Sequence, residues 1–357
     1  MSKNLDRLRR LMADKSIAAL LVADPTNVGW LTGFTGSFAR VIVTPDDALF
    51  ITDSRYVLQA QEQVPWMRQA TFASPVLGDD FVREQAAAMG LTDLAFEAAT
   101  TTYADFQKLD EKMPDVALSP TPDLFGELRM VKALDEVAAI RKACALADAA
   151  FGHITRLIQP GLTEYDLQLE LEFYLRRAGA GLAFETIVVS GERSARPHGK
   201  ASEKPLANGD FVTMDFGARV DGYNSDLTRT IVVGEATDRH REVYARVLRA
   251  ETESIAFMRP GVRAADVDAF AREVLGDYAQ YFGHGLGHGL GRVVHDGGRM
   301  NATSEDVLAV GQVWTVEPGV YIPGFGGVRI EDDVVVTEDG VEVLTASPKD
   351  LLVLPGR

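Results

Sequence analysis

Residues 209–217 and 311–319 of this 357-residue chain follow one sequence pattern. The first reads Gly-Asp-Phe-Val-Thr-Met-Asp-Phe-Gly and the second Gly-Gln-Val-Trp-Thr-Val-Glu-Pro-Gly, so Gly, Thr, a carboxylate and Gly recur at identical spacing. The two carboxylates are Asp215 and Glu317. A pattern repeated within one chain sets its architecture, because each copy folds as the same supersecondary unit. Two copies indicate a pseudo-symmetric domain rather than a solenoid.

A second carboxylate follows each copy after a turn, Asp226 in the first case and Glu331 in the second. A glycine ladder that carries histidines lies between the copies at residues 283–291, Gly-His-Gly-Leu-Gly-His-Gly-Leu-Gly. Four carboxylates and a histidine, supplied by a duplicated unit, are what a two-metal hydrolytic site requires. The sequence therefore predicts such a site.

The duplication also covers the residues that precede each copy. Segment 158–167, Ile-Gln-Pro-Gly-Leu-Thr-Glu-Tyr-Asp-Leu, is matched by segment 258–267, Met-Arg-Pro-Gly-Val-Arg-Ala-Ala-Asp-Val. Pro-Gly followed by apolar residues at helical spacing predicts a turn and then an amphipathic helix. We therefore expect a helix to lead to a carboxylate-bearing hairpin twice.

Length and composition restrict the class of protein. A chain of 357 residues favours two domains over one. The net charge of −16 argues against nucleic acid and against an anionic membrane as partners. The single cysteine, Cys144, excludes a disulfide framework. Residues 1–15 lack the apolar region of a signal peptide and no apolar run reaches membrane length, so we expect a cytoplasmic protein.

Helical and strand-like patterns alternate over residues 1–120, which predicts an α/β domain. Prolines at 120 and 122 indicate a connection, and a helical pattern over 134–158 opens the second domain. The first domain is predicted to contain helices at 3–14, 55–64, 79–89 and 103–112 and strands within 17–23 and at 41–44, 48–52, 93–96 and 115–118.

The spacing of the carboxylates predicts which of them face each other. In a hairpin with a two-residue turn, opposed residues have an odd index sum, so Asp215 and Asp226 lie on the same face, either opposed or diagonal. A loop centred on Gly324 would place Glu317 opposite Glu331. A single aspartate here would be interpreted as a turn or solvated strand residue. Carboxylates within apolar strands are costly unless compensated, and the match between copies favours a shared site.

Four of the six histidines fall in the stretch of the glycine ladder or in the loop 193–199: His198, His284, His288 and His295. In an extended ladder, His284, Leu286, His288 and Leu290 would point to one face. The glycines admit close backbone approach and do not fit the dinucleotide-binding spacing. The triplet 215–217 also matches the kinase Asp-Phe-Gly, but the other kinase motifs do not accompany it.

Five residues resemble the metal ligands of the pita-bread metallopeptidases, the family of methionine aminopeptidase, prolidase and aminopeptidase P: Asp215, Asp226, His288, Glu317 and Glu331. The resemblance covers essentially the whole chain. Segments 32–37 and 52–56 are similar to the creatinase-type amino-terminal domain, which methionine aminopeptidase lacks. The resemblance implies an α/β (α+β) protein, with a creatinase-like α/β domain at 1–125 and a pseudo-symmetric pita-bread catalytic domain at 126–357. Creatinase itself lacks metals, and the full ligand set argues against it.

The activity implied by this resemblance is metal-dependent hydrolysis of the bond between an N-terminal residue and a penultimate proline. Segment 284–296 is most similar to aminopeptidase P, which shares its histidine spacing and its His-Asp ending. Arg292 and the pair 297–298 depart from the usual pattern, and the short chain and Arg292 favour an Xaa-Pro dipeptidase (prolidase) more weakly. We therefore favour aminopeptidase P, with prolidase as the alternative. A peptide-binding pseudoenzyme on the same fold is the alternative from another class.

Roles for individual residues follow from the resemblance. Glu317 would be both ligand and proton shuttle. His198 and His295 would donate hydrogen bonds to the substrate carbonyl and the oxyanion. The expected substrate contacts are His284, Tyr321 and Arg329, although Arg329 could instead form a structural ion pair.

The implied cofactor is a pair of divalent metal ions. An oxygen-rich ligand set favours Mn²⁺, with Co²⁺ and Zn²⁺ as alternatives. Proline-containing peptides are the expected partners, and a homodimer is the expected assembly.

Overall fold

Residues 3–356 are described by the structure, a computed structural model. The chain divides into two compact units, Met1–Leu128 and Arg129–Arg357, and each is described by itself. No helix among the described residues has the length and apolar character needed to cross a membrane.

The first unit alternates helices and strands, as predicted. Its helices are α1 Lys3–Asp14, α2 Pro25–Thr32, α3 Val57–Gln63, α4 Gly78–Ala88, α5 Tyr103–Lys112 and α6 Leu124–Met130, the last of which runs into the second unit. Its strands are β1 Leu20–Val22, β2 Arg40–Val43, β3 Ala48–Asp53, β4 Arg68–Phe72, β5 Asp93–Glu97 and β6 Ala117–Thr121.

These six strands form one mixed sheet in the order β4-β3-β2-β1-β5-β6. Strands β1, β2 and β3 pair antiparallel, whereas β1–β5, β5–β6 and β3–β4 pair parallel. Successive residues of β2 alternate between two apolar cores, with Val41 and Val43 in one and Ile42 in the other. The sheet is therefore buried on both faces, as expected when helices cover it.

Three elements of this unit were missing from the sequence prediction. Helix α2 is short, and its start is set by the Asp24 side chain, which accepts from the Asn27 amide. Strand β4 is a partly exposed edge strand, so it lacks a continuous apolar run. Helix α6 follows the prolines that were interpreted as a connection.

Over residues 129–356 the second unit contains four α-helices and fourteen strands. The helices are α7 Leu134–Ile154, α8 Glu164–Arg177, α9 Asp238–Phe257 and α10 Ala264–Leu275. The strands are β7 Gly181–Leu182, β8 Ile187–Ser190, β9 Phe211–Phe216, β10 Ala218–Val220, β11 Tyr223–Asn224, β12 Leu227–Val233, β13 Gly287–His288, β14 Arg299–Met300, β15 Val313–Val316, β16 Gly319–Ile322, β17 Gly326–Arg329, β18 Asp332–Val336, β19 Val341–Val343 and β20 Val353–Leu354.

The predicted duplication is visible in the backbone. Gly161 and Gly261, which precede α8 and α10, have φ of 92° and 86°, values that favour glycine. The Gly161 amide donates to the Leu206 carbonyl at 3.0 Å, and the Gly261 amide donates to the Leu308 carbonyl at 2.8 Å. The expectation of a turn and then a helix in each half is confirmed.

Candidate metal centre and substrate pocket

One register runs through the first hairpin, on both sides of a short interruption. Strands β9 and β12 pair Asp215 with Thr228, and strands β10 and β11 continue that register to the tip. The turn residues Asp221 and Gly222 have φ of 52° and 81°, as in a type I′ turn. Asp226 lies at the interruption, diagonal to Asp215 on the same face. The sequence prediction for this pair is confirmed.

The second hairpin is interrupted in the same way. Strands β15 and β18 pair Val316 with Asp332, and strands β16 and β17 continue the register to a loop centred on Gly324. Glu317 and Glu331 fall in the gap between these two strand pairs, where the common register places them opposite each other. Each half of the unit therefore presents two carboxylates at or beside the interruption of its hairpin, with Asp215 in the last residues of β9 and the other three in the gaps.

The glycine ladder of residues 283–291 approaches the second hairpin closely at Gly287. A Cβ at this position would lie 2.1 Å from the Thr315 carbonyl oxygen, so only glycine fits. The amide of the next residue, His288, donates to Thr315 Oγ1 at 3.0 Å. This contact fixes the His288 backbone beside the second hairpin, close to the carboxylates.

The His288 imidazole turns its Nε2 atom toward the carboxylates. Its Nδ1 lies 3.1 Å from the Gly289 carbonyl oxygen, which can only accept, so Nδ1 carries the proton. Nε2 lies 3.6 Å from Asp226 Oδ2 and 3.5 Å from Glu317 Oε1. Burial lowers the pKa of His288 to about 4, which keeps the ring neutral. A neutral imidazole with a free lone pair is the form that binds metal ions.

Asp226, His288 and Glu331 each offer a ligand atom, and these atoms lie within 4.8 Å of one another. Burial raises the pKa of Asp226 and of Glu331 well above the usual range, and neighbouring carboxylate charges add to this effect. Burial also raises the pKa of Glu317 to about 8. Carboxylates this close resist joint ionisation, and bound cations would relieve their repulsion.

Asp215 adds a second indication that the site fits a metal. Its Oδ2 atom accepts from Arg329 Nη2, but its Oδ1 atom is buried and has no hydrogen-bond partner among the described residues. An orphaned carboxylate oxygen is costly unless a donor or a cation compensates it. Carboxylate oxygens with one imidazole nitrogen suit divalent ions such as Mn²⁺. The residues present therefore fit a divalent metal ion.

Two threonine hydroxyls orient the glutamates of the second hairpin. Thr228 donates to Glu331 Oε2 at 2.6 Å, and Thr315 donates to Glu317 Oε1 at 3.3 Å. Thr315 belongs to the duplicated pattern, so its place in that pattern has a direct structural reason.

A chain of hydrogen bonds leads from Asp215 to His284. Arg329 donates to Asp215 and, through Nη1, to the Tyr321 hydroxyl at 2.8 Å. That hydroxyl lies 2.9 Å from His284 Nε2. His284 Nδ1 lies 2.8 Å from the Gly285 carbonyl oxygen and carries the proton, so Nε2 accepts from Tyr321. Arg329 thus forms the ion pair that the sequence left open and also lines the pocket.

A cavity of about 330 Å³ opens over this cluster. Its lining residues are Pro197, His198, Asp215, His284, Gly285, Gly287, His288, His295, Gly297, Gly298, Arg299, Asn301, Glu317 and Arg329. Tyr321 does not line the cavity, but its hydroxyl is hydrogen-bonded to the lining residues His284 and Arg329. Asp226 and Glu331 are not part of the lining and are almost fully buried. The structure therefore gathers every predicted site residue around one cavity.

The histidines of the pocket differ in their surroundings. His198 is exposed at the cavity. The His295 ring lies 4.2 Å from that of His288, and partial burial, with the charges of Arg299 and His198, lowers its pKa. His284 is largely buried, and burial with the Arg329 charge lowers its pKa to about 4.

The four alternating side chains of the glycine ladder would share one face only if the ladder were extended, and that condition is not met. His284 and His288 line the cavity, whereas Leu286 and Leu290 are fully buried in two hydrophobic cores. The cause is that only Gly287–His288 is a strand, so the strict alternation of an extended chain does not apply.

Arg292 lies away from the cavity lining. Its guanidinium lies 5.2 Å from the centroid of the Tyr223 ring, at the tip of the first hairpin. Besides Arg329, the cavity is lined by Arg299, which the sequence analysis did not select, and Asn301 was also missed. Another missed residue is Asp333, a fully buried carboxylate that accepts from the Asp226 amide. A carboxylate inside the apolar strand β18 was the available signal for it.

The duplicated hairpins and the carboxylate–histidine cluster define a metal-dependent hydrolase of pita-bread architecture. Residues 138–338 match metallopeptidase family M24, and residues 4–131 match the creatinase/prolidase N-terminal domain. The chain belongs to metallopeptidase family M24, in the branch of Xaa-Pro dipeptidases and aminopeptidase P. Membership implies the use of divalent metal ions. The expected order of a creatinase-like domain and a pita-bread domain is confirmed.

Similar proteins cover the whole chain. An Xaa-Pro dipeptidase of Pyrococcus furiosus is 36% identical over 360 residues, covering 99% of this chain and 100% of the relative. The structure of an Xaa-Pro dipeptidase from Bacillus anthracis superimposes with a TM-score of 0.95 at 41% identity and covers 99% of both chains. An X-Pro aminopeptidase structure from Thermotoga maritima gives a TM-score of 0.91 at 35% identity, covering 98% of this chain and 100% of that one.

Proposed function

We propose that this protein is an Xaa-Pro dipeptidase that holds two divalent metal ions. Five residues would bind the ions: Asp215, Asp226, His288, Glu317 and Glu331. One nitrogen and otherwise oxygen donors favour Mn²⁺, with Co²⁺ and Zn²⁺ as alternatives. When bound, the metals would supply an activated water and polarise the carbonyl that precedes proline.

The remaining chemistry falls to side chains at the cavity wall. The neutral His295 ring lies beside the His288 ring, where an N–H can donate to the substrate carbonyl and its oxyanion. His198 is placed to donate from the exposed side. Glu317 lines the cavity and also faces His288, a position from which it can carry a proton to the leaving proline nitrogen. His284 accepts from Tyr321 and therefore shapes the wall rather than donating through Nε2.

The position of Arg299 at the cavity is the observation that favours a dipeptide substrate. It lines the cavity, and its charge contributes to lowering the pKa of both His288 and His295. Arg299 is an exposed residue, and its side chain forms no ion pair among the described residues. The free carboxylate of an Xaa-Pro dipeptide needs such a cation close to the metals, because a charge-assisted bond to Arg fixes a carboxylate well.

The lean of the sequence toward aminopeptidase P is not confirmed by the comparisons. It remains the second candidate because the Thermotoga maritima protein is also similar over the whole chain. Arg292, which the sequence weighed in favour of a dipeptidase, is not among the lining residues. The preference for a dipeptidase now depends on Arg299 and on the dipeptidase relatives.

The two candidates differ in the substrate that is cleaved best. We expect the Mn²⁺-loaded protein to give a higher kcat/KM for Ala-Pro than for Ala-Pro-Ala or a longer Xaa-Pro peptide. Replacing Arg299 by Ala should lower kcat/KM for Ala-Pro by about 10–100-fold, the value of a hydrogen bond to a charged group. The matched variant Arg292→Ala should leave it near the wild-type value.

Preferred cleavage of the longer peptides, with no effect of Arg299→Ala, would make the protein an aminopeptidase P. A metal-loaded protein that binds these peptides without cleaving any of them would support the pseudoenzyme instead. The homodimer stays a prediction, which light scattering coupled to size-exclusion chromatography would test.

A further inference from the structure

Two fully buried carboxylates sit on the matched helices of the duplicated unit, Glu164 on α8 and Asp268 on α10. Neither side chain reaches the cavity lining. Each pairs with an arginine, at 3.0 Å for Arg193 and 2.8 Å for Arg272. Each pair then binds a segment that carries one pocket histidine.

Glu164 gathers four donors from two segments. Its Oε1 atom accepts from the amide and the hydroxyl of Ser190 at 2.7 and 2.9 Å. Its Oε2 atom accepts from Arg193 Nε at 3.0 Å and from the Ser202 hydroxyl at 2.6 Å. The carboxylate therefore ties the end of β8 to residue 202, on the far side of the intervening loop.

That loop carries His198. Arg193, held by Glu164, donates through Nη2 to the Lys200 carbonyl. The loop is also turned back on itself, because the Gly199 amide donates to the Arg196 carbonyl at 3.0 Å. The backbone is thus fixed on both sides of His198 by bonds that begin at Glu164.

Asp268 makes the corresponding arrangement in the second half. Its Oδ1 atom accepts from the Leu286 amide at 3.0 Å, and its Oδ2 atom accepts from Arg272 Nε at 2.8 Å. Arg272 donates to the carbonyls of Phe282 and His284 at 2.9 and 2.6 Å. The backbone on both sides of the His284 ring is therefore held from one buried side chain.

The duplicated framework does not itself require these carboxylates. The position that matches Glu164 in the second half is Ala264, and the position that matches Asp268 in the first half is Gln168. Each helix thus forms without a carboxylate at the position where the other helix has one. We call the pairs Glu164–Arg193 and Asp268–Arg272 clamps. Their carboxylates occupy different turns of the two helices, and each clamp bonds to the histidine segment of its own half.

We propose that Glu164 and Asp268 are positioning residues, which act through Arg193 and Arg272 to place His198 and His284 in the substrate pocket. As far as it concerns turnover, this rests on the proposed Xaa-Pro peptidase function. Catalytic groups misplaced by about 1 Å can lose about 100-fold in rate. A buried carboxylate bound to several backbone and side-chain donors provides the rigidity that such placement needs.

Crossed double-mutant cycles on the full-length, Mn²⁺-loaded protein test the specific coupling. Glu164→Gln and Asp268→Asn should each lower kcat/KM for Ala-Pro by about 10–100-fold while metal content stays unchanged. In the His198→Ala background Glu164→Gln should cost less than about 3-fold, but in the His284→Ala background it should keep its full effect. Asp268→Asn should show the reverse pattern.

A matched control separates positioning from loss of stability. Asp148 on α7 accepts from the amides of Ala346 and Ser347 at 2.8 and 2.7 Å. Asp148→Asn should lower the Tm without changing kcat/KM. If Glu164→Gln instead combines additively with both histidine variants, it acts through general stability and the proposal is overturned.

A readout without turnover keeps this proposal separate from the proposed function. In metal-free full-length protein, Glu164→Gln should shift the imidazole NMR resonances of His198 and not those of His284, and Asp268→Asn should do the opposite. A wild-type protein that cleaves no Xaa-Pro peptide would remove the proposed function and leave this measurement decisive. Equal shifts of both histidines in either variant, or no shifts, would overturn the clamps.

Discussion

The backbone amide of Asp226 donates to Oδ2 of Asp333 at 2.9 Å, and both residues are nearly or fully buried. The Cys144 thiol donates to the same oxygen at 3.3 Å. Asp333 thus holds the backbone of a proposed metal ligand from the neighbouring strand β18. Residues that orient a ligand in this way contribute to metal affinity without touching the metal.

Replacing Asp333 by Ala should therefore weaken both folding and metal binding. The Asp226 amide would be left buried and unpaired, which costs about 1–3 kcal/mol in the free energy of unfolding. Mn²⁺ affinity should fall by about 10–100-fold. Denaturant unfolding of the metal-free protein and calorimetric titration with Mn²⁺ measure the two effects. Cys144→Ser, which keeps a donor, is the control, and an unchanged affinity in Asp333→Ala would refute the role of Asp333.

The second prediction concerns Asp226 itself. Asp226→Asn should fold but bind fewer than two equivalents of Mn²⁺ and lose most of its turnover, because an amide is a poorer ligand than a carboxylate. Asp221→Asn on the same hairpin is the matched control, since Asp221 is exposed at the tip, where it pairs with Lys142. Metal content by elemental analysis decides the matter. Full metal content and full rate in Asp226→Asn would remove this residue from the site.

The carboxylate pairs could be predicted from sequence because hairpin register is a local property. The turn at Asp221-Gly222 and the loop centred on Gly324 fix which residues face each other, and side chains alternate with a period of two. The helices after each Pro-Gly were predicted for the same reason. In each case the signal lies within about ten residues of the feature.

The residues that were missed depend on contacts between distant segments. Arg292 and Arg299 are both cations near the ladder, and which one lines the cavity depends on how the loop between them folds back. That fold is set by the Asp296 amide, which donates to the Gly289 carbonyl at 2.7 Å. Asp333 was missed because its partner Cys144 is on α7, far away in sequence.

His295 should act on the transition state rather than on metal binding. His295→Ala should retain its metal while kcat falls by about 10²–10³-fold, the cost typical of one lost oxyanion donor. His153→Ala is the control, since His153 bonds to Glu170 through the facing surfaces of α7 and α8. Metal loss in His295→Ala would mean that this histidine is a ligand.

His284 gives a prediction for the dependence of stability on pH. Burial, with the Arg329 charge, lowers its pKa to about 4 in the folded protein, whereas an unfolded histidine titrates near 6.5. Between these values the unfolded chain binds more protons than the folded one, so stability is lost as the pH falls from 6.5 toward 4. The contribution is on the order of 3 kcal/mol at most.

The buried carboxylates of Asp226 and Glu331 act in the opposite direction, because their raised pKa values favour the folded state at low pH. The effect of His284 must therefore be read as a difference between variants. His284→Gln keeps a neutral polar side chain and removes the titration, so its unfolding free energy should fall less than that of the wild type between pH 7 and pH 4. Denaturant unfolding of both metal-free proteins at several pH values gives this difference. Parallel pH profiles would show that His284 is protonated equally in the folded and unfolded states, which its burial against Tyr321 and Arg329 argues against.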